Sequence, residues 1–144
     1  MQRLIDERLD AAFRLYDELV DSLDASQLRR SLPVPSDRIG LQLWCVVGAR
    51  ETWARAMRTG AWGPFGCSIP SFEAAQDPAV VGSALASSAA AFRKAALAAP
   101  ADETRARLRL GLLEHESQHL GQLLRYILGL GIEPPPGWKE RFAL

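Results

Sequence analysis

Apolar residues at Leu4, Ile5, Leu9, Ala12, Phe13, Tyr16, Leu19, Val20 and Leu23 recur every three or four positions with charges between them, which is the period of one helix face. This predicts a first helix, interrupted around Ser22 to Ser26. The run Ser31-Leu32-Pro33-Val34-Pro35-Ser36-Asp37 reads as a loop, because each proline lacks an amide donor and biases its predecessor toward extended backbone. A second helix is expected from near Asp37, as its N-cap, to about Thr59 before Gly60, with Leu41, Trp44, Cys45, Gly48 and Thr52 on its core face. Three glycines and two prolines between Gly60 and Pro70 predict a long crossover with Trp62 and Phe65 as aromatic anchors, placed to form a lid over one end of the fold. Asp77-Pro78 pairs an acceptor cap with a proline in the first helical position and opens an Ala-rich third helix that runs to Ala99. The chain restarts at Pro100-Ala101-Asp102-Glu103, and a fourth helix continues to Leu130, where Gly131 and Pro134-Pro135-Pro136 stop it. No stretch alternates as a strand would. The pattern predicts an all-α protein, a four-helix bundle with one long crossover between helices two and three.

Composition narrows the class without changing that picture. A chain of 144 residues with 48% hydrophobic and 24% charged residues matches one soluble domain. Seventeen basic and seventeen acidic residues cancel, so no net field favours nucleic acid or an anionic membrane. The longest uncharged stretch, Pro78 to Phe92, contains glycine and several serines and is too short and polar for a bilayer span. The charged start, Met1-Gln2-Arg3-Leu4-Ile5-Asp6-Glu7-Arg8, lacks the apolar run of a secretory signal, so the expected location is cytoplasmic. Two cysteines, Cys45 and Cys67, are expected there as thiols or ligands rather than as a disulfide framework. Arg50, Arg55 and Arg58 read as a solvated face.

The fourth helix carries the chemistry. Packed with steps of four and three, one face reads Leu108, Leu112, His115, His119, Gln122 and Tyr126, so the middle of a leucine-rich stripe is polar. A parallel stripe, Leu110, Leu113, Ser117, Leu120, Leu124 and Ile127, is also mostly apolar, and a second subunit is one way to cover it. The only histidines in the chain, His115 and His119, sit one turn apart, a spacing that suits chelation of one transition metal. The competing reading places both rings at the edge of the core, hydrogen-bonded to Glu114, Glu116 or Gln118. Burying two imidazoles without partners is costly, and a metal site needs a third ligand from another helix.

The segment Glu114-His115-Glu116-Ser117-Gln118-His119-Leu120-Gly121-Gln122, followed by Leu123 to Leu130 and then Gly131-Ile132-Glu133-Pro134-Pro135-Pro136, resembles the last helix of the DinB/YfiT-like superfamily. About thirty residues match in detail, and Trp138, Arg141 and Phe142 resemble the family's aromatic tail. The resemblance implies one domain over residues 1–144: a four-helix bundle, often a homodimer, holding a divalent metal through three histidines. His115 and His119 match two of them. The third normally lies on helix two after a Ser-Ile-Gly-like start. Here Arg38-Ile39-Gly40-Leu41-Gln42-Leu43-Trp44 leads to Cys45, which takes that histidine's place, while a shift of one residue puts Val46 there and removes the ligand.

Two classes of function follow. In the first, zinc or nickel bound by Cys45, His115 and His119 serves a thiol-dependent transferase or hydrolase-like enzyme, with a small-molecule thiol as substrate. Gln122 and Tyr126 then orient substrate, and Glu116 acts as general base or as partner to a ligand; equally, Tyr126 is core and Glu116 a solvated flank residue. In the second, the chain is a non-catalytic dimeric bundle with a degenerate metal site, since fold alone does not decide function. Cys67 is open between an exposed loop thiol and a partner for Cys45.

Overall fold

The computed structural model describes residues 2–144. The first amphipathic pattern becomes α1 (Gln2–Ser22), which buries Leu9, Phe13, Tyr16, Leu19 and Val20. The break at Ser22 to Ser26 contains a single turn, α2 (Ala25–Leu28), held by a capping box in which the Asp24 carboxylate accepts from the Gln27 amide and the Gln27 side chain accepts from the Asp24 amide. Then follow α3 (Ile39–Thr59), a 3₁₀ turn at Ala74–Gln76, α4 (Pro78–Ala98), α5 (Glu103–Gly129) and α6 (Pro136–Phe142). No strand occurs among the described residues. None of these helices is long and apolar enough to cross a membrane.

Local signals account for most boundaries. Asp77 accepts from the Ala79 amide ahead of Pro78, and Asp102 accepts from the Arg105 amide at the start of α5. Gly131, at φ +64°, turns the chain out of α5, while Ile132 N–H reaches back to Ile127 O at 2.9 Å. The start of α3 differs from expectation. Arg38 occupies the N-cap without a side-chain bond, and Asp37 contributes its backbone instead, its carbonyl accepting from the Tyr126 hydroxyl at 2.7 Å.

The four long helices pack as α3 against α4 and α5, and α1 against the same two. Two apolar clusters fill the interior. One includes Tyr16, Leu19, Leu43, Val47, Leu85, Leu123, Ile127 and Trp138; the other includes Leu9, Phe13, Met57, Phe92 and Leu112. Between them lies the largest departure from the sequence reading. Arg50, expected on a solvated face, is fully buried with its guanidinium 4.3 Å from the Phe13 ring centre and 4.9 Å from that of Tyr16. The inward face of α3 is therefore Ile39, Leu43, Val46, Val47, Arg50, Ala54 and Met57.

Of the expected face, Gly48 and Thr52 are buried and Trp44 packs partly buried against the first cluster, while Leu41 and Cys45 are half-buried; this face meets the 60–77 connection. Trp44 Nε1 donates to Ile69 O, Ser68 N–H to Glu51 Oε2 and Arg55 to Pro64 O. The C-terminal segment, which the sequence pattern marks only as a tail after a proline stop, differs from that expectation. It is a helix whose Trp138 is fully buried, with its indole N–H donating to Leu15 O at 2.7 Å.

Candidate metal centre

The side of α3 next to that inward face meets the flank of α5. Val46 is fully buried toward the core, so Cys45 is the residue that turns toward the histidines. Its Sγ lies 3.9 Å from His115 Nε2, and the His115 and His119 ring centres are 4.6 Å apart. One ligand atom from each of Cys45, His115 and His119 falls within 4.8 Å of the others, and all three residues are half-buried. Ligand atoms around one tetrahedral zinc stand about 3.4 to 3.8 Å apart, so side-chain movements of about 1 Å bring this trio onto an ion.

The protonation states suit the donors. Burial holds the His115 imidazole below its ordinary pKa, opposed by the Glu116 charge and assisted by Arg50. Burial and then the neighbouring His115 push His119 down to about 4. Both rings are neutral near pH 7, as metal ligands must be. Burial, with a smaller contribution from Asp37, raises the Cys45 thiol above its usual value, so binding a cation there releases a proton from sulfur.

Hydrogen bonding separates the two rings. His119 Nδ1 lies 2.7 Å from Gln42 Oε1, a residue one turn before Cys45 on α3. His115 Nδ1 is buried without a protein partner. Glu114 and Gln118 are exposed, so the core-edge reading, with both rings satisfied by neighbours on α5, does not describe this site. The donor set, one sulfur and two imidazole nitrogens, fits a transition ion.

Aromatic side chains flank the cluster. The Trp53 ring lies 5.6 Å from His115, with Trp62 edge-on to it at 4.7 Å. Phe65 lies against Gly48, one turn beyond Cys45, and 5.2 Å from Trp44. The two loop aromatics thus lie along α3 beside the Cys45, His115 and His119 cluster, with Trp62 61% and Phe65 49% exposed. Cys67 is neither disulfide-bonded nor a free surface thiol. Its Sγ donates to Trp44 O at 3.4 Å, and burial pushes its pKa up to about 11.

The other expected site residues are placed elsewhere. Glu116 is fully buried, with its two oxygens held at 2.8 Å by Arg50 Nε and Nη2, so it is enclosed in an ion pair, neither a solvated flank residue nor a free general base. Its backbone carbonyl accepts from Tyr16 Oη at 2.7 Å. Gln122 faces solvent. Tyr126 is core, its hydroxyl spent on the Asp37 carbonyl. Gln42, Arg50 and Trp53 went unassigned to the site in the sequence; the only signal for Gln42 was its position one turn from Cys45 on the same helix face. No family model, curated protein or solved structure matches the chain.

Proposed function

We propose that this protein is a DinB/YfiT-like metalloprotein: a four-helix bundle of α1, α3, α4 and α5 with residues 60–77 as its crossover, working as a homodimer in the cytoplasm. Cys45, His115 and His119 hold one zinc or nickel ion per chain. The observation that carries this reading is the convergence of thiol and two neutral imidazoles within 4.8 Å from two helices. A bound ion of this kind supplies Lewis acidity, which activates water or a thiol near neutral pH. The reaction class is thiol-dependent group transfer or hydrolysis, with a small-molecule thiol as substrate.

The chain's own residues divide the remaining work. Gln42 orients His119 through its hydrogen bond, and Trp53 covers one side of His115. The Arg50–Glu116 pair fixes α3 against α5 immediately beside the ligands. The second reading, a bundle that binds metal without catalysis, draws support from the placement of Glu116, Gln122 and Tyr126, none of which leaves an acid or base free at the cluster.

Metal analysis of the purified chain tests the centre. The expected result is one equivalent of zinc or nickel, lost on His119→Ala and reduced on Cys45→Ala, with Cys45→His restoring it. A metal-free protein, with Cys45→Ala and His119→Ala both as stable as the parent, would overturn the assignment.

A further inference from the structure

A neutral imidazole carries one hydrogen, and only the nitrogen without it can ligate a metal. In the absence of a partner, imidazole in water favours hydrogen on Nε2. Gln42 Oε1 has lone pairs and no hydrogen, so at 2.7 Å from His119 Nδ1 it requires Nδ1 to be the donor. That leaves Nε2 bare.

We propose that Gln42 is a positioning residue that fixes the tautomer and ring orientation of His119, so that Nε2 is presented toward Cys45 and His115. This rests on the metal-centre reading for its purpose, although the tautomer itself is a property of the metal-free chain. The geometry gives the assignment its force. Gln42 and Cys45 lie three residues apart on α3, so one helix face supplies both a ligand and the group that aims another. A helix shift that moved Cys45 out of reach would move Gln42 with it. His115, whose Nδ1 has no protein partner, provides the internal contrast: its ring is held by packing against Trp53 rather than by an acceptor.

Nitrogen NMR of histidine-labelled, metal-free protein reads the tautomer directly, alongside zinc affinity from competition with a chromophoric chelator. Wild type is expected to show His119 as the Nδ1–H form. Gln42→Leu should move it toward Nε2–H and weaken zinc binding about tenfold to a hundredfold, while Gln42→Glu, which keeps an acceptor, restores both. The His115 signals should not follow these changes. A wild-type His119 with hydrogen on Nε2, or a Gln42→Leu protein with unchanged tautomer and unchanged zinc affinity, overturns the proposal. Failure of wild type to take zinc removes the metal centre instead, and the NMR arm still decides whether Gln42 governs the ring.

Discussion

Gly40 and Gly48 lie two turns apart on α3 and meet different kinds of neighbour. A methyl group on Gly40 would stand 2.2 Å from the carbonyl oxygen of Ala75 and 3.3 Å from that of Leu28, backbone atoms that can move only if the 3₁₀ turn and α2 move. On Gly48 it would stand 2.2 Å from Cζ of Phe65, the far end of a half-exposed loop side chain. Gly40→Ala is therefore expected to destabilise by about 1 to 3 kcal/mol in urea unfolding. Gly48→Ala should change stability by less than about 1 kcal/mol, since alanine's helix propensity offsets the displaced ring, yet speed proteolysis within residues 60–73. Equal losses for the two would show that the ring cannot swing aside. At this scale the sequence revealed residues whose chemistry is read from their own spacing, as with His115 and His119. Gln42 and Arg50 stayed hidden because their meaning comes from a partner on α5, more than 60 positions away, and periodicity cannot distinguish a paired interior arginine from a solvated one.

Helix α3 is bolted to α5 by Arg50 and Glu116, a bidentate pair with no exposure on either side chain. Removing one partner strands the other charge in an apolar interior, so Arg50→Met or Glu116→Leu alone should cost about 3 to 5 kcal/mol. The double variant Arg50→Met/Glu116→Leu should recover most of that loss, because both desolvation costs vanish together. A thermodynamic cycle from denaturant titrations measures the coupling; additive losses would mean that the pair is not a unit. Helix ends were legible wherever their signals are local, as at Asp77-Pro78 and Asp102. They were misread where tertiary contacts decide, as at Asp37, whose backbone is engaged by Tyr126. The prolines before α6 marked the end of α5 correctly but concealed a new helix, since Pro136 occupies the first helical position, where a missing amide costs nothing.

Across the whole molecule, acid should act through the half-buried imidazoles. His119 has a folded pKa of about 4, below its ordinary value of 6.5, and His115 is also lowered. As pH falls below 6.5 the unfolded chain takes up these protons first, so stability of the metal-free protein is full above that pH and declines toward pH 4. Urea midpoints from pH 7.5 to 4.5 should fall in wild type and fall less steeply in His119→Gln; parallel curves would mean that the folded ring titrates normally. The contact between Trp138 and Leu15 spans 123 residues of sequence. The stretch of α1 that receives the indole is thus synthesised long before the indole itself, so this part of the core closes only once α6 has been made, and a chain cut before Pro136 loses both the hydrogen bond and the buried ring.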